Sequence, residues 1–280
     1  MTTTVALYGA AGKMGTRIAE KLAETAEYQV LHVESGEEGL SRLLQAGRVP
    51  VAGQEAARRC EAAVLAVPDR LIGRVAAEVV PALPAGAMLV CLDPAAPYAG
   101  ELPERQDVTY FVTHPCHPPI VNDETDPEAR TDCFGGVAKQ HVVAALMQGP
   151  EEAFEGGEKL ARAMFAPVMN VHRVTVEQMV MLEPALSETV VLTLMVAIRE
   201  AVDEAVERGV PAQAARDFVL GHMHVNVGIL FGFIDAEVSE GAKLAADRGA
   251  ARLLRPDWKE AFEPENVRQE VLSIVRGVSE

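Results

Sequence analysis

"LYGAAGKMG" (Leu7–Gly15) places three glycines, Gly9, Gly12 and Gly15, between a β-type run, "TVALYGA", and a helical pattern, "MGTRIAEKLAET". Each glycine answers a separate steric need. The first allows a tight turn, the second lets backbone approach a pyrophosphate, and the third lets helix and strand pack closely. The amides of Gly12, Lys13 and Met14 are expected to face phosphates at a helix N-terminus. The next β-type run, "YQVLHVES", ends at Glu34, about twenty residues after the loop, where a carboxylate accepts hydrogen bonds from an adenosine ribose. Glu34 also repels a 2′-phosphate, and "ESGEEG" sets no arginine beside it, so the pattern favours NAD over NADP.

Outward from this unit, β-branched runs alternate with helical patterns: "EEGLSRLLQAG", "AAVLAVP", "LIGRVAAEVVPAL", "GAMLVCLD" and "VTYFVTHP". "QHVVAALMQG" and "PVMNVHRVT" read as two further strands around the helix "EEAFEGGEKLARAMF". Such alternation predicts an α/β Rossmann domain, a parallel sheet with helices on both faces, over residues 1–176. From about Val176 the texture becomes helical. "EQMVMLEPALSETVVLTLMVAIREAVDEAVERGV" is one long pattern closed by Gly209, and "PAQAARDFVLGHMHVNVGILFGF" and "AEVSEGAKLAADRGAARLL" follow. A second, all-helical domain is expected over 177–280, serving substrate binding and dimerisation.

Composition narrows the class of partner. The 280 residues carry 41 acidic against 25 basic side chains, a formal net charge of −16, which repels nucleic acid and anionic membrane surfaces. The N-terminus lacks a basic region before a long apolar run, so a cytoplasmic protein is expected. Cys60, Cys91, Cys116 and Cys133 show no CxxC spacing and are expected to be reduced and mostly buried. "VVLTLMVAI" (Val190–Ile198), flanked by Glu188 and Arg199, is shorter than a membrane span and reads as a core helix. The apolar surface of the helix around it is broad enough to predict a homodimer formed through the helical domain.

In a parallel α/β sheet, ligands bind at the carboxyl ends of the strands. "LAVPD" directs Pro68 and Asp69 at that edge, beside the nicotinamide ribose, although Asp69 equally suits a helix N-cap. "CLDPAA" brings Asp93 to the same edge. "THPCHPP" (Thr113–Pro119) follows "VTYFV" and carries His114 and His117 among prolines that stiffen the loop, which suits side chains held in place before substrate arrives. Cys116 lies between them, but no second cysteine completes a closed zinc site.

In the helical half, Glu183 and Glu188 of "MLEPALSETVV" interrupt a nearly continuous apolar pattern, and a desolvated carboxylate needs a cation, a metal or a donor. No lysine occurs between Lys159 and Lys243, so that partner is not a local lysine. Pro184 fits a first helical turn and would set Glu183 at a helix N-terminus. Of His222 and His224 in "GHMHVNVG", only one can face a cleft, and each reads first as a satisfied core histidine.

The order of the GxxGxxG loop, "LAVPD" and a helical half with one long helix resembles the 6-phosphogluconate and β-hydroxyacid dehydrogenase superfamily. Its simple dehydrogenases use a lysine on the first long helix of the helical domain as acid/base, and this chain has none there. "THPCHPP" with "LEPALSETVV" is instead similar to the D-apionate oxidoisomerase branch. That resemblance implies NAD-dependent C2 oxidation of a branched 2-hydroxy sugar acid, followed by a metal-assisted carbon shift. It implies His114 or His117 as the base for the C2 hydroxyl, His114 and Glu183 as ligands of a divalent cation, and Glu188 as a second base. Two other readings remain open at this stage: a plain NAD-dependent hydroxy-acid or semialdehyde dehydrogenase, and a non-catalytic NAD-sensing protein.

Overall fold

The computed structural model describes residues 2–277. Two compact units are present. Met1–Pro119, Glu124–Met181 and Arg268–Glu280 make one, and Ile120–Asp123 with Leu182–Val267 make the other. The first unit therefore runs a few residues past Val176 and includes the stretch from Arg268 on.

The first unit opens with β1 (Thr3–Tyr8), α1 (Lys13–Ala23), β2 (Tyr28–Val33), α2 (Glu37–Gln45), α3 (Gly53–Arg59) and β3 (Ala62–Leu65). It continues through α4 (Asp69–Val79), β4 (Met88–Cys91), α5 (Ala95–Tyr98), β5 (Thr109–Pro115), α6 (Pro127–Thr131), β6 (Gln140–Gln148), α7 (Ala153–Met164) and β7 (Val168–Arg173). The seven strands form one sheet in the order β2-β1-β3-β4-β5-β6-β7. Side chains alternate across it: Val5 and Leu7 join Ile18, Leu22 and Leu160 on one face, while Ala6 and Tyr8 join Ile72, Val79 and Leu89 on the other. The two-faced α/β architecture is the one the alternating pattern predicts.

The sheet is not wholly parallel. β1 to β5 are parallel, but β6 runs antiparallel to β5, with His114 opposite Val143 and Pro115 opposite Val142. A parallel return requires a crossover along the sheet face, and α6, with five residues, is too short to make one. β7 is again parallel to β6. β5 also extends further than "VTYFV" suggests. It takes in His114 and Pro115, so His114 is a strand residue and only the chain from Cys116 onward is loop.

One helix runs unbroken from Val176 to Glu207. It starts as α8 (Val176–Val180), capped by Thr175 and Gln178 in a reciprocal capping box, and ends as α9 (Thr193–Glu207). Between them, Met181–Leu192 is π-helical. Pro184 thus lies inside the helix and not in its first turn, and Glu183 is not at a helix N-terminus. The wider π turn explains how: a ring without an N–H that would clash with an α-helical i−4 carbonyl is accommodated by the shifted register. Thr189 Oγ1 donates to the Pro184 carbonyl at 2.7 Å, bonding an acceptor inside that segment.

The helical unit adds α10 (Ala212–Leu230) and α11 (Glu240–Leu253), and α12 (Pro264–Arg276) crosses back into residues of the first unit. Its apolar faces are largely bare. Only 11% of the most apolar window of Val176–Glu207 is buried, so "VVLTLMVAI" is a helix interior but is left uncovered by the described residues.

Candidate active site

The glycine loop joins β1 to α1, and its three glycines are set by contact. Gly9 takes φ 77°, and a Cβ there would lie 2.3 Å from the Ala66 carbonyl oxygen. A Cβ on Gly15 would fall 2.1 Å from the Gly9 oxygen, which is what lets α1 pack against the loop. Gly12 caps α1 in extended conformation, and Lys13 and Met14 form its first turn. Their amides are among the N–H groups that a helix start leaves without intrahelical partners. The Gly12 amide has a different use: it donates to the Gly9 oxygen at 3.0 Å and closes the turn, so it does not join the phosphate-facing set expected from the motif.

Glu34, just past β2, turns back to this loop. Its Oε2 accepts from the Ala11 amide at 3.2 Å and its Oε1 from Ser35 at 3.1 Å. Beside it opens a cavity of about 360 Å³ with Tyr8, Gly53, Val67, Arg74 and Glu78 in its walls. Gly39 on α2 is what gives the carboxylate room, since a Cβ there would sit 2.5 Å from Glu34 Cγ. No arginine stands in "ESGEEG" itself, but one on α2 reaches the glycine loop. Arg42 donates to the Ala11 carbonyl at 3.3 Å while paired to Glu38 at 2.6 Å. The helical signal for this was present: α2 folds back, so a residue eight positions past Glu34 returns to the loop.

The carboxyl ends of β3, β4 and β5 carry the remaining predicted residues of the first unit. Pro68 caps α4 and Asp69 is its first residue, making no side-chain cap bond; burial holds the Asp69 carboxyl above its usual range. Asp93 follows β4, and its Oδ1 accepts from the Ala95 amide at 2.7 Å. His114 Nδ1 donates to the Leu92 carbonyl at 2.8 Å, which presents Nε2 as its other ring nitrogen. Burial, helped by the neighbouring His117, lowers the His114 pKa against the Leu92 bond that raises it, which favours the neutral imidazole. Asp93 and His114 offer ligand atoms within 4.8 Å of one another. His117 sits in the loop beyond β5 at φ 62°, its ring edge-on to His114 with centroids 6.2 Å apart.

On the long helix, Glu183 is half-buried and Glu188 is exposed, so only the first fits the expectation of a desolvated acid. His222 and His224 are exposed and are not core histidines. His222 stacks on Phe218 at 4.0 Å and bonds its carbonyl through Nδ1. Cys60 and Cys91 are buried thiols pushed up to about 11 and about 12, mainly by burial, while Cys116 and Cys133 are exposed.

Known proteins match this arrangement along its length. A family model described as phosphogluconate dehydrogenase (decarboxylating) C-term matches residues 122–275, and one described as NADP oxidoreductase coenzyme F420-dependent matches residues 4–94. A D-apionate oxidoisomerase from Rhizobium rhizogenes is 52% identical, covering 97% of this chain and 99% of the relative. A crystal structure of a semialdehyde dehydrogenase NAD-binding protein from Cupriavidus necator, in complex with calcium and NAD, superposes with TM-score 0.95 at 49% identity, covering 98% of this chain and 100% of that one. An NADH-preferring ketol-acid reductoisomerase from an uncultured archaeon superposes with TM-score 0.68 at 17% identity, covering 98% and 82%, and this likeness is one of fold alone. Nearly every residue of the chain thus aligns with relatives that share one activity name, and the chain belongs to the D-apionate oxidoisomerase family.

Proposed function

We propose that this protein is an NAD-dependent oxidoisomerase of D-apionate, oxidising the branched 2-hydroxy acid at C2 and then moving a carbon group to give 3-oxoisoapionate. The observation that carries the reading is a set of cation ligands at the strand ends. Asp93 and His114 offer ligand atoms within 4.8 Å of one another at the ends of β4 and β5, and in this reading Glu183 is the third ligand. One imidazole and two carboxylates suit an oxygen-preferring divalent cation and leave positions for substrate oxygens.

The glycine cradle fits a dinucleotide, because a Cβ at Gly9 or Gly15 would collide with backbone that has to stay close. In this reading the Lys13 and Met14 amides hold the pyrophosphate and Glu34 holds the adenosine ribose. Pro68 and Asp69 lie toward the nicotinamide ribose. Bound NAD supplies the hydride acceptor, and a bound divalent cation supplies Lewis-acid polarisation of the 2-keto acid. His117 takes the C2 hydroxyl proton, His114 stays neutral as a ligand, Asp93 and Glu183 bring negative charge to the cation, and Glu188 is the second base. The helical domain, residues 177–280 in the sequence reading, contributes to binding the sugar acid and forms a homodimer. A cytoplasmic location belongs to the same reading.

Product identification by NMR tests it. D-apionate with NAD should yield NADH and the rearranged keto acid, and exhaustive chelation should stop the rearrangement while NAD still binds. A simple 2-keto acid as the sole product would make the enzyme a plain dehydrogenase, and full rearrangement after chelation would remove the cation.

A further inference from the structure

Between α6 and β6 lies a loop that the reaction above leaves unused. Both oxygens of Asp132 are taken up by backbone. Oδ1 accepts from the Phe134 and Gly135 amides at 3.0 and 2.9 Å, and Oδ2 accepts from Val137 and Ala138, each at 3.0 Å. The chain wrapped around this carboxylate has no regular structure, and Gly135 and Gly136 take φ of 86° and 118°. Four charge-assisted bonds to one side chain therefore set its path. A Cβ on Gly135 would lie 2.3 Å from Gln140 Nε2, so the loop also closes tightly on the start of β6.

The resulting turn aims the Phe134 carbonyl at two groups from elsewhere in the sheet unit. His117 Nδ1 lies 3.1 Å from it, and Arg17 on α1 donates to it and to the Gly135 carbonyl at 2.5 Å each. The Phe134 ring stands edge-on to His117 at 5.9 Å and lies 5.6 Å from the Arg17 guanidinium carbon. A carbonyl oxygen can only accept, so this bond puts the His117 proton on Nδ1 and the lone pair on Nε2. An imidazole in water favours the opposite tautomer. The backbone of His117, at a positive φ that non-glycine residues rarely adopt, is likewise a conformation held by its surroundings.

We propose that Asp132 is a positioning residue for His117: it folds the 132–138 loop so that the Phe134 carbonyl fixes the His117 ring with Nε2 as the basic nitrogen. The catalytic part of this rests on the reading of His117 as the base for the C2 hydroxyl; the tautomer does not, because it is read without substrate.

Nitrogen-15 NMR of the ligand-free enzyme tests it, with the His117 signals identified by their loss in His117→Gln. The unaltered enzyme should carry the proton on Nδ1. Asp132→Asn, whose amide nitrogen cannot accept from two N–H groups, should move the equilibrium toward the Nε2–H form. That variant should lower kcat by about tenfold, as loss of a group that orients another typically does, and leave KM for NAD within about twofold. In a His117→Gln background the same substitution should cost no further turnover. An unaltered enzyme with the proton on Nε2 would overturn the proposal without any variant. A full tenfold loss from Asp132→Asn when His117 is already glutamine would also overturn it, since that marks a purely structural role.

Discussion

The sheet unit and the helical unit put their apolar sequence to different ends. In the sheet unit, Leu7, Leu65, Leu89 and Phe111 are fully buried, and both faces of the sheet find helices of the same chain. In the helical unit, α9 has no buried residue and α10 has only Gly228, while Phe218, Leu230 and Phe231 are 68%, 72% and 75% exposed. Apolar periodicity shows that a helix has a face to cover. It does not show whether the cover lies in the same chain. By length and composition alone Val176–Glu207 could cross a membrane, yet Arg199, Glu200 and Asp203 interrupt α9 with charge. Large exposed apolar patches are typical of interaction sites.

In the proposed reading the sheet unit covers its own apolar faces, and a second copy of the chain would cover those of the helical unit. The largest expected effect separates cofactor binding from chemistry. His114→Ala or Glu183→Ala should each lower turnover by about a hundredfold while NAD affinity changes by no more than a factor of a few, because neither touches the glycine loop. Steady-state kinetics with fluorescence titration of NADH would check this; normal turnover in either variant would break the assignment of ligands. Next comes the bare face. Phe218→Glu puts a charge beside the apolar groove formed by Ile198, Val202, Val210 and Val219. It should raise the dimer dissociation constant by about thirtyfold, the loss of about 2 kcal/mol common at a buried aromatic anchor. Light scattering that finds the unaltered chain monomeric at micromolar concentration would dissolve the comparison itself.

A smaller effect is expected at Glu34. The unaltered enzyme should prefer NAD over NADP by about tenfold or more, and Glu34→Ala should narrow that ratio, as competition kinetics would report. Equal use of both cofactors before any substitution would refute the role of Glu34. The smallest effect is local to the 132–138 loop. Burial opposes the charge on Asp132, but its four backbone bonds prevail and hold the carboxyl below the usual range. A carboxyl depressed in this way stabilises the fold above its unfolded pKa of about 3.9, and the contribution disappears as pH falls through the folded value. Hydrogen exchange at the Phe134, Gly135, Val137 and Ala138 amides should therefore lose protection below about pH 4 while the sheet amides keep theirs.

What could be read from the sequence was whatever depends on local geometry. The glycine loop was legible because each glycine answers to a neighbour a few residues away or to the next strand end, as the contacts of Gly9 and Gly15 show. The α/β alternation was legible because each face of the sheet is covered by adjacent chain. The direction of β6 was not, because it depends on whether the connection folds as a crossover. Pro184 was misplaced because a proline inside an apolar pattern ordinarily reports a helix start, and sequence carries no sign of a π turn that tolerates it. Glu188, His222 and His224 were judged by the apolar residues around them, and those residues face outward in the single chain. Asp132 escaped notice because its importance comes from four backbone amides, which no residue-type pattern records.

With Glu34 holding the adenosine ribose as proposed, Gly39 would make cofactor preference a two-position trait. With Glu34 in place, a methyl group at position 39 collides with the side chain, and the cheapest relief is rotation of Glu34, which takes its carboxylate off the Ala11 amide. A lineage that mutates Gly39 first therefore disturbs cofactor choice without altering Glu34 at all. One that shortens Glu34 first removes the obstacle, and Gly39 is then free to drift. The same two substitutions thus have different consequences in the two orders, and a mutant library that varies position 34 alone explores the trait along only one of its two axes.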